Sequence, residues 1–372
     1  MLFDPMGENM KVLHILIGGD VGGIETLCKD YVRKSKNQNI VLFLNGGGIL
    51  QEELQNEGIE TIDFMGKSKN IVSTLRRVKQ TVEKNQIDAI VVHHSAPISH
   101  LCAIFVKRRM PNVKTLVYAH GCAEDMCREK DKKGLALRKW IIAKSLNDAD
   151  SVVAISKSVK KSLKSYLKIS NKTINIIYNG VDLERFFYKP QKKRDGLTQL
   201  IYVGRLIPEK GVDQIIRSIS LIKNDNVKLS IVGVGSEMEL LKELSHNLGL
   251  DNKIHFLGQR RDVPELLNKA DAFVHMPKWE EGFGITIIEA MACGLICVCG
   301  ERGAIPEIIN NKVNGYIIDA DSEKQLADII EFITQNKNGE VLKRIKHNAI
   351  ERANDFSIDN YVEQLDRVVE TS

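Results

Sequence analysis

The sequence has no apolar run long enough to cross a membrane. A spanning helix needs about 18 or more consecutive apolar residues, whereas Ala89–Val92 and Leu101–Val106 are short and have polar neighbours. The first ten residues contain neither the basic segment nor the apolar core of a secretory signal. We therefore expect a cytoplasmic protein without a transmembrane anchor.

The sequence also lacks paired cysteines at metal-ligand spacing. None of its seven cysteines forms a C-x2-C pair, which argues against structural zinc, and most lie in apolar segments typical of reduced cytosolic thiols. His93, His94 and His100 are close in sequence, but successive strand residues point to opposite faces and no acid follows closely. We expect no metal and no cofactor.

Two D-x-D sequences, Asp148–Asp150 and Asp319–Asp321, spell a pattern that holds metal-bound nucleotide sugars in a different fold. Here one precedes a predicted strand and the other follows one. We interpret both as solvated residues at element boundaries.

Charge is unevenly distributed along the 372 residues, of which 43% are hydrophobic and 27% charged, as in soluble globular proteins. Residues 1–190 hold 30 basic and 20 acidic residues (+10), and residues 191–372 hold 23 and 28 (−5). A helix over Lys157–Lys168 would place lysines beside leucines, which suits an anionic membrane surface as well as an ordinary solvated face. No recognition motif or aromatic interleaving points to nucleic acid. The other basic clusters are Lys107–Arg109, Lys130–Lys133 and Arg138–Lys139.

Short apolar runs alternate with amphipathic stretches, which predicts parallel sheets with helical crossovers. The alternation restarts after a polar break at Lys189–Gly196 and closes with a helical pattern at Ala353–Thr371, so two βα arrays are expected. The predicted strands are Lys11–Ile17, Ile40–Leu44, Ala89–Val92, Thr115–Tyr118, Ser151–Ile155, Thr173–Ile177, Leu200–Val203, Lys228–Val232, Lys253–Phe256, Ala272–His275, Ile296–Cys299 and Gly315–Ile318.

A glycine-rich turn, Gly18–Gly23, follows the first strand and opens a helix. It is not a G-x-G-x-x-G sequence, and Asn45-Gly46 rather than an acid follows the second strand. Backbone could approach a phosphate here, but a dinucleotide site is not predicted.

Two cations, Arg205 and Lys210, lie in the turn after Leu200–Val203, before a helix that begins near Val212. Fixed positive charge of this kind suits a diphosphate leaving group, since arginine can contact two oxygens and lysine acts as a point charge. The alternative is a loop ion pair with Glu209.

Glu281 and Glu289 bracket Gly-Phe-Gly and an apolar helix predicted over Ile285–Ala292. A loop leading into a helix N-terminus offers unpaired amides and a dipole that favour phosphate. Two carboxylates beside such a site suit the polyols that flank a diphosphate in a nucleotide sugar. The alternative is a buried helix with two solvated acids. His120, at another strand end, is a further candidate for contact with substrate.

Taken in order, these residues resemble the retaining nucleotide-sugar glycosyltransferases of family 4. The resemblance implies an α/β, GT-B fold with two Rossmann-like βαβ domains facing across a central cleft. Residues 1–188 and a C-terminal helix at about 355–372, crossing back, would form the acceptor domain, and residues 189–354 the donor domain. One departure is Gly303-Ala304, where the family often has Gly-Gly. The matching motifs are Gly22–Glu25, Asn179–Asp182, Gly204–Leu206, Lys210–Gly211, Gly233-x-Gly235, Phe256–Gly258, Glu281–Gly284, Glu289–Gly294, Ile305–Glu307 and Asn314–Gly315.

The resemblance also implies residue roles. Arg205 and Lys210 would hold the diphosphate, Glu281 and His120 would contact the transferred sugar, and Glu289 would take the ribose hydroxyls. The remaining donor-binding positions, which include the glycines that approach phosphate and the loop around the base, would be Gly22, Gly23, Gly204, Gly233, Gly258, Arg260, Val263, Gly282, Phe283, Gly284 and Ile285.

The expected reaction moves a hexosyl or N-acetylhexosaminyl group from a nucleotide sugar, by family weight a UDP-sugar, to a hydroxyl of a soluble or lipid-linked glycan or of a protein. Bacterial surface polysaccharide or glycolipid synthesis is the expected setting, with peripheral membrane contact through the basic first half. Two alternatives stay open: a 2-epimerase-like enzyme of the same fold, and a nucleotide-sugar-binding module without turnover.

Overall fold

The computed structural model describes residues 9–20, 22–65, 70–93, 96–127, 132–169, 172–190 and 196–371. Contacts divide the chain into two units, one comprising Met1–Gly180 with Ile358–Ser372 and the other Val181–Ser357. The first unit thus ends before the polar break at Lys189–Gly196, of which residues 191–195 lie outside the described part.

The first unit contains a seven-stranded parallel sheet in the order β3-β2-β1-β4-β5-β6-β7. Its interior strands are almost fully buried, as expected of a parallel sheet covered on both faces. The strands are β1 Lys11–Leu16, β2 Gln38–Phe43, β3 Glu60–Asp63, β4 Ala89–Val92, β5 Lys114–Ala119, β6 Ser151–Ala154 and β7 Asn175–Ile176.

The helices of the first unit begin where side-chain caps satisfy their first amides. Asn70 accepts a hydrogen bond from the Val72 amide at the start of α3, and Ser156 accepts one from the Val159 amide at the start of α7. The helices are α1 Gly23–Lys34, α2 Gly48–Asn56, α3 Ile71–Asn85, α4 Pro97–Arg109, α5 Ala123–Met126, α6 Lys132–Asp148, α7 Lys157–Leu167 and α15 Ile358–Thr371.

The second unit contains a six-stranded parallel sheet in the order β10-β9-β8-β11-β12-β13. The strands are β8 Thr198–Val203, β9 Val227–Val232, β10 Ile254–Gly258, β11 Ala272–His275, β12 Ile296–Gly300 and β13 Tyr316–Ile318. The helices are α8 Val212–Leu221, α9 Met238–Asn247, α10 Val263–Lys269, α11 Ile285–Ala292, α12 Ile305–Ile308, α13 Glu323–Gln335 and α14 Glu340–Asn354, with a 3₁₀ turn at Pro208–Lys210.

The alternation of apolar runs located every described strand except β3. All twelve predicted strands are present, with bounds that differ by at most two residues. Strand β3 has the sequence Glu-Thr-Ile-Asp and lies at the sheet edge, where its residues are half-buried or exposed. Its apolar content is therefore too low to stand out in the sequence.

The predicted continuous helix at Ala353–Thr371 is wrong, because the chain breaks between α14 and α15. Phe356 fits the apolar period of a helix, but it lies in the break and packs edge-on against the Phe283 ring of the second unit. The helix α15 then begins at Ile358 and belongs to the first unit.

Asp366 fixes α15 to the first unit. Its carboxylate, 5% exposed, accepts hydrogen bonds from the Tyr31 hydroxyl (2.5 Å), the Ser35 hydroxyl (2.6 Å) and the Asn37 side-chain amide (3.1 Å). Three donors compensate the desolvation of this carboxylate. Burial, together with the adjacent Asp366 charge, raises the pKa of Tyr31, so the hydroxyl stays a donor.

All seven cysteines are buried thiols, which is consistent with the reduced core cysteines expected from the sequence. Within the described residues, no helix combines the length and apolarity needed to cross a bilayer.

His100, in α4, is a buried imidazole whose two nitrogens have no hydrogen-bond partner in the structure. Burial, with the nearby Arg138 charge, lowers its pKa from 6.5 to about 3. The unfolded chain therefore binds the proton first. This contribution to stability is fully present above pH 6.5 and is lost as the pH falls toward 3.

We expect His100→Leu to stabilise the first unit, because the substitution removes an unpaired buried polar group that destabilises the folded state by about 1–3 kcal/mol. The gain should grow at pH 5 by about 2 kcal/mol, since the wild-type histidine is then protonated only when unfolded. Unfolding midpoints at pH 7 and pH 5 measure both effects. His347→Leu, at an exposed position, is the control. If the unfolding midpoint falls equally between pH 7 and pH 5 in His100→Leu and in the wild type, the argument is contradicted.

Candidate active site

The second unit has its topological switch point between β8 and β11. From β8 the chain passes to β9 on one side, while β11 adjoins β8 on the other. Loops that leave two such strands diverge at the carboxyl edge of the sheet, which is where ligands bind in open α/β sheets. Lys210 lies in the loop after β8 and Glu281 in the loop after β11, so two predicted site residues meet at this edge.

Lys210, Glu281 and His275 form one polar cluster. The ammonium of Lys210 lies 2.6 Å from Glu281 Oε2, and His275 Nε2 lies 2.9 Å from the same oxygen. The side chains of Glu281 and His275 are 12% and 3% exposed. Among the described contacts both hydrogen bonds fall on Oε2, so Oε1 keeps its acceptor capacity for a ligand.

The cluster holds Glu281 ionised. Burial alone would raise the pKa of its carboxyl, but the Lys210 charge and the His275 hydrogen bond outweigh burial and hold that pKa far below its usual range. Burial lowers the pKa of His275, which therefore donates through a neutral imidazole N–H. Glu281 is thus a very weak base, suited to accepting hydrogen bonds and unsuited to taking a proton.

His275 is a member of the cluster that the sequence reasoning missed. It is the last residue of a correctly predicted strand, and this position in a parallel sheet is the signal that could have identified it. Its ring stacks on the buried Tyr202, with centroids 6.2 Å apart.

The loop ion pair with Glu209, considered as the alternative for Lys210, is not the contact that the structure contains. Lys210 forms its ion pair with Glu281 instead. The loops after β8 and β11 are also joined by a hydrogen bond from the Lys278 amide to the Glu209 backbone carbonyl (2.9 Å). Gly211 (φ +61°) allows this approach, because a Cβ there would lie 1.9 Å from the Met276 carbonyl oxygen.

Arg205 lies on the same loop as Lys210 but does not join the cluster. Its backbone carbonyl accepts a hydrogen bond from the Tyr202 hydroxyl (3.0 Å), while its side chain is exposed. In the described part of the chain its guanidinium makes no ion pair. The turn thus presents a second cation whose side chain is available to an anion.

The helix α11 begins at Ile285, as predicted, and its N-terminus carries no side-chain cap. The preceding Gly284 has φ +95°, a left-handed conformation that glycine adopts without strain. Gly282 and Phe283 complete the loop, with Phe283 buried and Gly282 half-buried. Glu289 lies one turn inside the helix and is half-buried. The first amides of α11 therefore have no side-chain cap, which is the arrangement that favours an anion at a helix N-terminus, and they lie close to the Glu281 cluster in sequence.

Glycines bring the loops after β8, β9 and β10 together. The Gly204 amide donates to the Val232 carbonyl (3.0 Å) and the Gly233 amide to the Gly258 carbonyl (2.8 Å). A Cβ on Gly233 (φ +140°) would lie 1.8 Å from the Gly204 oxygen, so this crossing requires glycine.

Two predicted donor-binding residues lie further along, after β10. Arg260 is exposed and forms a two-point ion pair with Asp262 (2.7 and 2.8 Å), and Val263 begins α10. The Arg260 side chain thus has a local carboxylate partner, whereas the contact of this loop with the base stays a prediction.

The first unit has its own switch point, between β1 and β4. Gly22, half-buried, is the N-cap of α1, and Gly23, exposed, is its first residue; Val21 lies outside the described residues. Glycine has no side chain with which to cap the helix, but the Glu25 carboxylate of the first turn lies beside Gly22, where a Cβ would be 2.4 Å from Glu25 Oε2. An anion at the α1 N-terminus would therefore meet the Glu25 charge as well as the backbone amides.

His120 follows β5 and is half-buried, and its Nε2 lies 3.3 Å from His93 Nδ1. The metal alternative for His93, His94 and His100 is not supported by the described residues. His100 is enclosed in α4 and His93 contacts His14 and His120, while His94 lies outside the described part.

The D-x-D carboxylates have structural partners. Asp150 forms an ion pair with Lys107 and accepts hydrogen bonds from the Thr115 amide and hydroxyl, both at 2.9 Å. Asp319 accepts the Asp321 amide (3.0 Å), and Asp321 pairs with Arg302 (2.6 Å). Asp150 is therefore a half-buried anchor of β5 and β6 rather than a solvated residue.

Two family models together match most of the chain. Residues 21–185 match glycosyltransferase family 4, and residues 184–352 match glycosyl transferases group 1. The boundary between the matches lies close to that between the two units.

Curated relatives and solved structures agree with these matches. The chain is 27% identical to N-acetyl-alpha-D-glucosaminyl L-malate synthase of Bacillus anthracis, over 68% of this chain and 66% of that one, so it spans about two thirds of that relative. It is 25% identical, over 96% of each chain, to UDP-Gal:alpha-D-GlcNAc-diphosphoundecaprenol alpha-1,3-galactosyltransferase of Escherichia coli. The Anabaena protein HepE, crystallised with UDP, superposes with a TM-score of 0.83 at 22% identity, over 98% of this chain and 100% of that one.

The two parallel Rossmann-like sheets, the return of α15 to the first unit and the likeness to HepE confirm the predicted GT-B architecture. With both family models matched, the chain is a glycosyltransferase of family 4, in the glycosyl transferases group 1.

Proposed function

We propose that this protein transfers a hexosyl or N-acetylhexosaminyl group from a UDP-sugar to a hydroxyl of a glycan acceptor, with retention of anomeric configuration. The setting would be bacterial surface polysaccharide or glycolipid synthesis. The observation that carries the proposal is the Lys210–Glu281–His275 cluster at the switch point. Its Glu281 lies on the loop that leads into the uncapped N-terminus of α11.

The donor assignment draws on the relatives. HepE has been crystallised with UDP and with UDP-glucose, and the name of the Escherichia coli relative specifies UDP-Gal. The cations at the switch point, Lys210 and Arg205, would offer positive charge to a diphosphate without the help of a metal.

The chemistry follows from where charge develops. As the bond between anomeric carbon and diphosphate lengthens, negative charge builds on the phosphate oxygens, and preorganised donors lower the barrier most effectively there. Arg205, Lys210 and the α11 amides would supply that stabilisation. Glu281 Oε1 would accept a hydroxyl of the transferred sugar, and Glu289 the ribose hydroxyls.

Retention fits the electrostatics of Glu281. A carboxylate with two hydrogen bonds on one oxygen and a strongly lowered pKa is a poor base and a poor nucleophile. The acceptor hydroxyl would instead attack on the face from which the diphosphate leaves, and the departing phosphate oxygen would take its proton. This route needs no pair of catalytic carboxylates.

Membrane contact, if the acceptor is lipid-linked, would use the surface around α6 rather than insertion of α7. Leu163 and Leu167 of α7 are buried in the protein, so that helix offers exposed lysines but no apolar face. Leu137 and Trp140 of α6 are 61% and 59% exposed. We propose that these two apolar side chains enter an anionic lipid surface while neighbouring lysines supply attraction.

We expect Arg205→Ala to lower transfer by about 10²–10³ with the unfolding midpoint unchanged, because the exposed guanidinium acts on the leaving group and not on the fold. Turnover and thermal shift with UDP-, GDP- and ADP-sugars measure the effect, and Arg217→Ala, on the surface of α8, is the matched control. Near-wild-type transfer by Arg205→Ala would contradict the role of Arg205 at the leaving group.

The wild-type protein tests the donor and the reaction. Thermal stabilisation by GDP- or ADP-sugars but not by UDP-sugars would contradict a UDP-sugar donor. Epimerisation of the donor sugar without an acceptor would contradict the assignment as a transferase.

Lys210→Met should impair transfer and also destabilise the second unit by about 1–3 kcal/mol, since it leaves a buried carboxylate with one partner. Replacing both members, Lys210→Met with Glu281→Leu, should cost clearly less than the sum of the single changes. Denaturant unfolding of the cycle measures the coupling. The more exposed pair Lys278–Asp213 (2.7 Å) serves as control, with an expected coupling below about 1 kcal/mol. Additive single effects at Lys210 and Glu281 would contradict the proposed pair.

Leu137→Ala and Trp140→Ala should each weaken cosedimentation with vesicles rich in anionic lipid, while catalysis with a soluble acceptor is retained. Leu240→Ala in α9 is the matched control, because Leu240 is also 60% exposed but lies in the other unit. Equal vesicle binding of all three variants and wild type would rule out this surface.

A further inference from the structure

Three imidazoles in the first unit form one hydrogen-bonded row, which we call the histidine row. His14 Nδ1 lies 2.9 Å from His93 Nε2, and His93 Nδ1 lies 3.3 Å from His120 Nε2. The three residues come from β1 and from the ends of β4 and β5. The row therefore runs from inside the sheet to the carboxyl edge, where His120 lies.

The direction of the hydrogen bonds in this row is set at its inner end. The side-chain amide of Asn39 donates through Nδ2 to the Asn37 carbonyl oxygen (2.9 Å), which can only accept. This contact orients the amide and turns Oδ1 toward His14 Nε2, 2.9 Å away. Because Oδ1 can only accept, His14 carries its proton on Nε2.

The same direction passes along the row. Burial lowers the pKa of His14 to about 4, so its ring is neutral near pH 7 and its Nδ1 is an acceptor. His93 therefore donates from Nε2. Because His93 is only 1% exposed, burial disfavours a second, charging proton on its ring, so Nδ1 accepts and His120 donates from Nε2. The remaining nitrogen of His120, Nδ1, is consequently an acceptor.

The inner end is itself held by the last helix. Asn37 is 7% exposed, and its side chain donates to Asp366 of α15 (3.1 Å) and accepts the Met10 amide (3.1 Å). The position of the carbonyl that orients Asn39 therefore depends on the same contacts that fix α15 to the first unit.

We propose that His14 and His93 are positioning residues, which hold His120 as an Nδ1 acceptor and so select a substrate hydroxyl, rather than a phosphate or carbonyl oxygen, as its partner. The inference rests on the proposed function and on the role that the family resemblance implies for His120, which is contact with the transferred sugar. It deepens that role by fixing the tautomer from inside the protein.

A metal site is the competing use of these groups. His14, Cys28 and His93 are all buried and their ligand atoms lie within 4.8 Å of one another. Burial raises the pKa of the Cys28 thiol, which disfavours the thiolate that metals bind. His14 Nε2 already contacts Asn39 and His93 Nδ1 contacts His120, while His14 Nδ1 and His93 Nε2 lie at hydrogen-bond distance from each other. A hydrogen-bonded row therefore explains these contacts better than a metal site.

The test measures tautomers directly in the full chain, labelled with ¹⁵N-histidine, by long-range ¹H–¹⁵N correlation without substrate. We expect His14, His93 and His120 all to be protonated at Nε2. In His14→Phe, which retains an aromatic ring but removes the acceptor for His93, His120 should become a mixture of tautomers and kcat/KM should fall about tenfold, the cost of one neutral hydrogen bond. Asn39→Leu should likewise give a mixture of His120 tautomers and a lower kcat/KM. Gln38→Leu, at an exposed neighbouring position on β2, should change neither the tautomer nor kcat/KM.

The outcomes separate this inference from the proposed function. Protonation of His120 at Nδ1 in the wild type, or an unchanged tautomer in both His14→Phe and Asn39→Leu, would overturn the row whatever the activity. The same holds if EDTA or added zinc shifts the His14 and His93 nitrogens, since this would reveal a metal. The expected tautomers without sugar transfer would leave the row standing and overturn the function instead. The wild-type measurement decides even if a variant fails to fold.

Discussion

A buried carboxylate must be compensated, and the loops of the second unit are arranged around that requirement. Burial by itself raises the pKa of the Glu281 carboxyl, and the Lys210 charge and the His275 hydrogen bond oppose that rise. Lys210 follows β8, whereas His275 ends β11. The loop after β8 must therefore lie against the loop after β11, which Gly211 permits by its close approach to Met276. The cluster fixes both the local fold and the charge that a diphosphate would meet.

The first unit solves a related problem with neutral groups. Its switch point has histidines where the second unit has an ion pair, and burial keeps His14 uncharged. The histidine row then transmits the donor-to-acceptor direction of its hydrogen bonds, and no charge, from the Asn39 side-chain amide to His120 at the edge of the sheet. Asp366 makes this depend on α15, so the end of the chain contributes to the order of a site formed near its beginning.

Sequence patterns were sufficient where a residue acts through its immediate surroundings in the chain. The start of α11 at Ile285, the start of α8 at Val212 and twelve strands follow from apolar period and glycine turns. The predictions from sequence were wrong or missing where contacts with a different element determine the local structure. Phe356 fits a helical period but packs on Phe283, and β3 is identified by its partner strand rather than by its own apolarity.

The sequence by itself determined the parallel α/β class, the two arrays and the glycine-rich and cationic turns, because each is written in local spacing. Only the tertiary structure decided that Lys210 pairs with Glu281 rather than Glu209, and that His275 and His14 belong to polar clusters. These contacts join residues 6 to 79 positions apart, at distances that depend on strand order, and strand order is not encoded in any single segment.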